Sequence, residues 1–216
     1  MPTAIDDSLL EPARAAKGFM PDDEGLALRA AAYDAGCRHP GLPLLEVGTY
    51  CGKSALYMSG AARAAGTVLF TVDHHRGSEE NQAGWEHHDA ALVDPRTGRM
   101  DTLPVLRRNL EDAGVEDVVI AVVGDSPTVA RFWQTPLAFL FIDGGHGDDP
   151  AWADYRTWEP KLVPGGLLAI HDVFPDPADG GRPPYELFRH AVATGAFSEL
   201  ADAGRGSLRV LRKTPR

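Results

Sequence analysis

The sequence predicts a single α/β domain built on a mostly parallel β-sheet. Apolar runs of strand length alternate with longer helical patterns along most of the 216 residues, and this alternation is typical of βαβ units. Two of the apolar runs, LAFLFIDGG and GGLLAIHDV, are continuous rather than alternating, as expected of strands that helices cover on both faces. The length also lies within the range of one domain.

The first half of the chain supplies the first strands. The N-terminal segment over 1–40 is predicted to be helical, with an acidic, Ala-rich stretch over 8–36 that forms two helices ending near Gly36. The elements that follow are a strand over 44–48, a helix over 53–65 and a strand over 68–73. The pattern then breaks over 74–100, a polar, His-rich stretch that is too long for an ordinary connection and is predicted to be a lid or substrate insertion.

The second half returns to regular alternation. The predicted elements are a helix over 101–113, a strand over 117–124, a short helix from Pro127, a strand over 138–145, a helix over 150–162 and a strand over 165–173. A loop rich in Pro and Gly follows over 174–184, and then a helix over 185–194. Two weaker runs, over 196–202 and 207–212, fit an antiparallel hairpin at one edge of the sheet.

Composition excludes several classes of partner. The formal net charge is −10, which argues against nucleic acid and against an anionic membrane surface, because both attract basic proteins. No apolar run approaches the roughly 18 residues that a membrane span needs, and the N-terminus does not resemble a secretory signal. Cys37 and Cys51 are too few for a disulfide framework. We therefore expect a cytoplasmic protein.

A glycine turn follows the first predicted strand, in the sequence LLEVGTYCGKS over 44–54. A turn between a strand and a helix places backbone N–H groups under a ligand. The phosphate loop of a nucleotide triphosphatase requires four residues between its glycines, and only three separate Gly48 from Gly52. The glycine spacing of a nicotinamide-binding fold is also missing, although Asp73 stands at the end of the second strand, where such a fold has its acid.

The pattern that does fit is acid-x-Gly-x-x-x-Gly, formed by Glu46, Gly48 and Gly52. With Asp73, it resembles the class I S-adenosylmethionine-dependent methyltransferases, over a stretch from about Leu44 to Leu211. The resemblance implies one domain over 1–216 with a Rossmann-like, seven-stranded, mostly parallel sheet, helices on both faces and a C-terminal antiparallel hairpin. S-adenosyl-L-methionine carries a sulfonium and an ammonium group, so a carboxylate-lined loop suits it.

The resemblance also assigns candidate cofactor-binding residues at the strand ends. Asp73 would accept hydrogen bonds from the ribose hydroxyls, and the segment GDS over 124–126 would meet the adenine. The full set of candidates for cofactor binding is Glu46, Gly48, Thr49, Gly52, Ser54, Asp73, His74, Asp125, Ser126 and Asp143.

Two further motifs, FIDGGH and AIHDV, follow the fourth and fifth strands of the main pattern. They resemble the subgroup of small-molecule O-methyltransferases that holds a divalent metal there. This resemblance implies Asp143, His171 and Asp172 as ligands of Mg²⁺ or Mn²⁺, with His171 where many relatives have a carboxylate. The catalytic candidates are Asp143, His146 as general base, and His171, which could exchange roles with His146.

Simpler interpretations of the same residues stay open at this point. His171 could only hydrogen-bond a neighbouring strand, Asp143 could contact the methionine end of the cofactor, and Asp172 could cap the following loop. Candidates for acceptor binding are Arg76, Trp85 and His88 in the insertion and Tyr185 after the Pro-rich loop, and the alternative for the insertion is a solvated loop.

The sequence thus predicts an S-adenosylmethionine-dependent methyltransferase that O-methylates a small hydroxylated acceptor, a sugar or a secondary metabolite, with the help of a divalent metal. Rival hypotheses are a nucleotide triphosphatase, a nicotinamide-dependent oxidoreductase and a non-catalytic S-adenosylmethionine-binding module. The acidic helical segment over 8–36 could also pack across a partner subunit in a homodimer.

Overall fold

The computed structural model describes residues 4–82, 84–85, 87–145, 147–174, 176 and 182–215. The helices are α1 (Leu10–Ala15), α2 (Asp22–Arg38), α3 (Lys53–Ala65), α4 (Leu103–Asp112), α5 (Ser126–Phe132), α6 (Asp148–Trp158) and α7 (Arg182–Ala193). The strands are β1 (Leu44–Val47), β2 (Leu69–Asp73), β3 (Val93–Asp94), β4 (Arg99–Met100), β5 (Val119–Val123), β6 (Leu137–Ile142), β7 (Leu162–Ile170), β8 (Phe197–Glu199) and β9 (Arg209–Lys213).

Seven strands form one sheet in the order β5-β2-β1-β6-β7-β9-β8. The strands from β5 to β7 are mutually parallel, whereas β9 runs antiparallel to both β7 and β8. The predicted mostly parallel sheet and its C-terminal antiparallel hairpin are therefore confirmed. In the part of the chain that the structure describes, no helix combines the length and apolarity needed to cross a membrane.

Helices cover both faces of the sheet, and strand β6 shows why its sequence is continuously apolar. Phe139 and Phe141 point to the face covered by α2, α3 and α4, while Leu140 and Ile142 point to the face covered by α5, α6 and α7. Successive side chains of a strand alternate between faces, so a strand buried on both faces must be apolar at every position.

The helix predicted to end near Gly36 extends in the structure to Arg38. Gly36 does not end the helix but allows it to pack closely, because a Cβ atom at this position would lie 2.7 Å from the Cβ of Ala65. Gly25 is similar, since its Cβ would lie 2.5 Å from the ring of Tyr57. The two glycines thus let α2 approach α3 closely.

The described residues of the predicted insertion over 74–100 contain regular structure that its polar sequence did not reveal. They form two 3₁₀ helices, Glu79–Asn81 and Ala90–Leu92, and a small antiparallel pair, β3 and β4. Leu92 and Met100 are buried against Cys51 of the glycine turn. Strands of two residues are too short to give a periodic signal, which explains why the sequence did not reveal them.

Candidate active site

The carboxyl ends of three adjacent parallel strands bring the predicted motifs together. Val47 of β1 pairs with Ile142 of β6, and Ile142 pairs in turn with Ile170 of β7. The residues that follow these strands, Gly48, Asp143 and His171, therefore emerge side by side. Ligands bind at this edge in open α/β sheets, because the helix connections leave a crevice there.

The backbone of the glycine turn takes conformations that only some residues tolerate. Gly48 has φ of 89°, and a Cβ at this position would lie 2.1 Å from the carbonyl oxygen of Asp143. Gly52 has φ of 91°, and its Cβ would lie 2.6 Å from Leu106. The two glycines were expected to let the backbone approach the ligand closely. In the structure they let Asp143 and Leu106 approach the backbone of the turn closely.

Glu46 lies beneath the turn and not on its surface. The residue has no exposed surface, and Ser54 Oγ donates a hydrogen bond to one carboxyl oxygen. The other oxygen has no hydrogen-bond partner among the described residues. Burial raises the pKa of Glu46 to about 8, against the effect of the Ser54 hydrogen bond, and the nearby carboxylates of Asp143 and Asp73 raise it further. The expected negative lining of the turn at this residue is therefore corrected to a buried, mostly neutral acid.

Asp73 ties the glycine turn to the end of β2. Its Oδ2 accepts hydrogen bonds from the backbone N–H groups of Thr49 and Tyr50, both at 2.9 Å, and its Oδ1 accepts one from His75 N at 2.7 Å. The Thr49 hydroxyl lies 2.5 Å from the hydroxyl of Thr71. Because each carboxylate oxygen has two lone pairs, Asp73 retains capacity to accept hydrogen bonds from a ligand.

The two histidines after β2 have different surroundings. His74 is half exposed, and its Nδ1 accepts a hydrogen bond from Arg76 N at 3.0 Å. His75 is buried with φ of 59°, and its Nδ1 lies 2.7 Å from the hydroxyl of Thr102. Burial lowers the pKa of His75, so this ring is neutral near pH 7. Only His74 is available to a ligand.

The GDS segment begins helix α5. Asp125 caps that helix by accepting a hydrogen bond from Thr128 N at 3.0 Å, while Ser126 Oγ accepts one from the indole of Trp158 at 2.8 Å. Asp154 of α6, which sequence reasoning missed, is buried nearby, and burial raises its pKa to about 6. The space that Asp154 occupies exists because Gly144 has no side chain: a Cβ there would lie 2.8 Å from Asp154 Oδ2.

The structure brings Asp143, His171 and Asp172 together. His171 Nδ1 lies 3.1 Å from Asp143 Oδ1 and 3.3 Å from Asp172 Oδ2. On the other side of the ring, Nε2 lies 2.6 Å from the Oε2 atom of Glu24, a residue of α2. Sequence reasoning missed Glu24 because an acid in the first turn of a helix is ordinary there.

Three carboxylates surround the buried ring of His171. Burial alone would lower its pKa, but the charge of Asp143 and the hydrogen bonds that Asp143, Asp172 and Glu24 accept from the ring hold the pKa well above its usual value. In the absence of a metal, this environment favours the protonated, cationic form of the ring. Both ring nitrogens face carboxylates, and this geometry argues against His171 as the general base. The simpler interpretation, a ring that only hydrogen-bonds a neighbouring strand, is wrong, since the ring nitrogens face the side chains of Glu24, Asp143 and Asp172.

The residues of this cluster fit a divalent cation. One ligand atom from each of Asp143, His171 and Asp172 lies within 4.8 Å of the other two. Neighbouring ligands around an octahedral ion, at about 2.1 Å from it, stand about 3 Å apart, which is close to the two nitrogen–oxygen distances of the cluster. Two carboxylates and an imidazole nitrogen are also a donor set that Mn²⁺, Fe²⁺ and Zn²⁺ accept.

The predicted acceptor residues have different local surroundings. Arg76 lies 3.4 Å from Asp101 and donates to the carbonyl of Met100; Trp85 is 53% exposed; and His88 Nδ1 lies 3.0 Å from the carbonyl oxygen of Asn81. Tyr185 is half buried against the core on the α7 side of the sheet. His146 lies outside the described residues.

An aromatic cluster that the sequence did not predict stands over the glycine turn. Phe19, in the segment between α1 and α2, has its ring 5.5 Å from that of Tyr50 and 4.9 Å from that of His87. Lys17 forms an ion pair with Asp89 of the insertion. The N-terminal segment and the insertion therefore meet above the turn. Phe19 gave no sequence signal, because one apolar residue in a connection is common.

Comparisons with known proteins agree with this geometry. Residues 45–173 match a family described as a methyltransferase domain. Similar solved structures include the O-methyltransferase NovP, with 19% identity, 87% of this chain and 78% of that chain covered and a TM-score of 0.65. An O-methyltransferase from Bacillus cereus in complex with S-adenosylhomocysteine has 18% identity, 96% and 92% coverage and a TM-score of 0.63. CalS11, a TDP-rhamnose 3'-O-methyltransferase of calicheamicin biosynthesis, has 17% identity, 88% and 80% coverage and a TM-score of 0.61.

The structural neighbours confirm the predicted Rossmann-like fold. The family match covers more than half of the 216 residues and includes the glycine turn, Asp73 and the Asp143–Asp172 cluster. It favours methyl transfer over the triphosphatase and nicotinamide alternatives, whose glycine spacings the chain also lacks. The chain belongs to the methyltransferase-domain family.

Proposed function

We propose that this methyltransferase transfers the methyl group of S-adenosylmethionine to a hydroxyl group of a small acceptor, with the help of a divalent cation. The observation that carries the proposal is the convergence of Asp143, His171 and Asp172 directly beside the glycine turn. The backbone of Gly48 packs against the carbonyl of Asp143, so a donor on the turn and an acceptor at the cluster would be neighbours.

The residues of the two sites have separate tasks in this proposal. Asp73 orients the donor beside the glycine turn, and Asp143, His171 Nδ1 and Asp172 would hold the cation. A divalent ion there would supply the Lewis acidity that lowers the pKa of an acceptor hydroxyl. As the new oxygen–carbon bond forms and the carbon–sulfur bond breaks, the hydroxyl proton passes to a base. The protein contributes to the rate mainly by aligning the acceptor oxygen, the methyl carbon and the sulfur atom.

His146 is our candidate for that base, since it follows Asp143 by three positions in the sequence and an ordinary histidine titrates near neutrality. The neighbouring residues are less suited to act as the base, because Asp143 and Asp172 would hold the cation and both ring nitrogens of His171 are engaged. A His146→Ala variant should therefore lose rate most strongly at low pH, where hydroxide assists least.

The acceptor in our proposal carries several hydroxyl groups, as a sugar or a tailored secondary metabolite does. NovP and the TDP-rhamnose methyltransferase CalS11 are O-methyltransferases of the same fold, and the half-exposed side chains of Arg76, His74 and His88 offer hydrogen bonds to such a molecule. The free state of Cys37 and Cys51 fits a cytoplasmic location.

The test is transfer of an isotope-labelled methyl group from S-adenosylmethionine to a panel of hydroxylated sugars and phenols, followed by mass spectrometry. We expect one acceptor class to be labelled, activity to fall at least tenfold after exhaustive chelation, and Mn²⁺ to restore it. Asp172→Asn should show the same loss while still binding S-adenosylhomocysteine. Full activity after chelation would contradict the role of the metal, and binding without any transfer would indicate a non-catalytic module.

A further inference from the structure

Glu24 is a buried acid whose position no motif explains. It lies in the first turn of α2 with 4% of its surface exposed. Its Oε1 accepts a hydrogen bond from Ser207 N at 2.6 Å, and its Oε2 accepts one from Ser207 Oγ at 3.1 Å. Gly206 makes room for it, because a Cβ there would lie 2.0 Å from Oε1. The carboxylate is thus fixed between α2 and the chain leading into β9.

This fixed carboxylate determines which nitrogen of His171 faces the acids of the site. Both oxygens of Glu24 accept hydrogen bonds from Ser207, one from its backbone N–H and one from its hydroxyl, so Glu24 is held as an acceptor toward its neighbours. The hydrogen between the two side chains therefore belongs to Nε2 of His171, 2.6 Å away. Nδ1 is left facing Asp143 and Asp172, where a cation would take the place of its proton.

The backbone at Asp172 supports the same arrangement. Asp172 has φ of 56°, a left-handed conformation that is strained for a residue other than glycine. Its side chain lies 3.3 Å from Nδ1 of His171. The hydrogen bond from Val173 N to Ser207 O, at 2.9 Å, holds the chain just after this residue, so Ser207 braces both Glu24 and the segment that carries Asp172.

We propose that Glu24 is a positioning residue for the metal site: it holds His171 with Nδ1 as the third metal ligand and so gives the site a preference for Mn²⁺ over Mg²⁺. The inference rests on the metal of the proposed function and adds the tautomer, the ligand atom and the selectivity. Mg²⁺ favours oxygen ligands, whereas Mn²⁺ tolerates an imidazole nitrogen. A carboxylate that binds the far nitrogen of a ligating histidine typically contributes 10- to 100-fold in metal affinity.

A Glu24→Gln variant tests this idea because the amide has a forced orientation. Ser207 N–H must face an oxygen, so the amide oxygen takes the place of Oε1. The amide NH₂ group then takes the place of Oε2 and donates to Nε2 of His171. That reversal moves the ring hydrogen to Nδ1 and removes the lone pair on the metal side. The matched control is Asp23→Asn, which removes one charge from the same helical turn at an exposed position.

The readouts are calorimetric affinities for Mn²⁺ and Mg²⁺ and pulsed electron paramagnetic resonance of bound Mn²⁺, which detects a directly coordinated nitrogen. We expect the unaltered protein to bind Mn²⁺ at least tenfold more tightly than Mg²⁺ and to show coupling to one imidazole nitrogen. In Glu24→Gln, Mn²⁺ affinity should fall at least tenfold and the nitrogen coupling should disappear, while Asp23→Asn should match the unaltered protein.

Several outcomes would overturn the inference. Two of them need only the unaltered protein: bound Mn²⁺ that shows no nitrogen coupling, and equal affinities for Mn²⁺ and Mg²⁺. These two results would overturn the inference even if Glu24→Gln fails to fold. Retention of affinity and coupling in a folded Glu24→Gln would do so as well. Binding of neither ion would overturn the metal role of the proposed function too, whereas oxygen-only binding would overturn this inference alone.

Discussion

The carboxylate of Glu24 lies 2.6 Å from Nε2 of His171, although 147 positions separate the two residues in the sequence. The contact joins helix α2 to the loop that follows β7. Because His171 also faces Asp143 and Asp172, the N-terminal segment forms the rear wall of the candidate metal site. Changes in this segment should therefore alter the site as well as stability.

Replacement of Glu46 by Gln should stabilise the protein increasingly as the pH rises. The pKa of Glu46 is raised to about 8, above the ordinary value of an unfolded glutamic acid. The folded state therefore binds the extra proton between these two values, and stability falls there by up to about 1.4 kcal/mol per pH unit. Gln removes this dependence and can still accept the hydrogen bond from Ser54.

The measurement for Glu46→Gln is denaturant unfolding between pH 5 and pH 8, with the exposed Glu199→Gln as control. The difference in unfolding free energy between Glu46→Gln and the unaltered protein should widen with pH, while that of Glu199→Gln stays flat. A constant difference across this range would show that Glu46 is ionised in the folded protein.

Alanine at Gly48 should destabilise the protein more than alanine at Gly66. Both positions have positive φ, 89° and 70°, so both substitutions cost about 1 kcal/mol in backbone strain. A Cβ at Gly48 would in addition lie 2.1 Å from Asp143 O, whereas nothing lies within 4 Å of one at Gly66. In thermal unfolding, the unfolding free energy of Gly48→Ala should be lower than that of Gly66→Ala by at least ~2 kcal/mol. Equal losses of unfolding free energy would mean that the turn is free to shift.

Removal of the Phe19 ring should weaken ligand binding with little effect on stability. The ring is 61% exposed and contacts Tyr50 and His87 above the glycine turn. We expect Phe19→Ala to raise KM for donor or acceptor several-fold and to change unfolding free energy by less than about 1 kcal/mol. Phe132→Ala, at a 74% exposed position on α5, should leave KM unchanged. Unaltered KM values in Phe19→Ala would remove the aromatic cluster from the site.

Replacement of Asp73 by Asn should reduce affinity for S-adenosylhomocysteine at least tenfold. Its two carboxylate oxygens accept three backbone hydrogen bonds, and an amide offers only one oxygen. If that oxygen keeps the bonds from Thr49 and Tyr50, the N–H of His75 would face an NH₂ group. Loss of such a bond costs about 1–3 kcal/mol. Calorimetric titration should detect the change, and Asp117→Asn, in a surface pair with Arg63, should bind normally. Normal binding by Asp73→Asn would exclude a role for this acid in orienting the donor.

The sequence was most informative where chemistry and periodicity coincide. The helix over 53–65 was predicted at its observed bounds, because Gly52 and Gly66 enclose an apolar pattern of helical period. The end of the helix at Gly36 was predicted wrongly. A glycine inside a helix that allows close packing, as Gly36 does against Ala65, has the same sequence pattern as a glycine that ends a helix. The positions of Asp143, His171 and Asp172 at strand ends predicted their convergence, since parallel strands end at one edge of a sheet.

By itself, the sequence determined the order of helices and strands, the methyltransferase motif and the strand-end position of the acids, because these depend on neighbouring residues and on repeating patterns. Only the tertiary structure decided that Glu46 is buried beneath the turn, that Glu24 supports His171 and that Phe19 stands over the turn. Burial and partner choice depend on atoms that are distant in the chain. Those atoms meet through packing of the whole domain, and no local pattern records that packing.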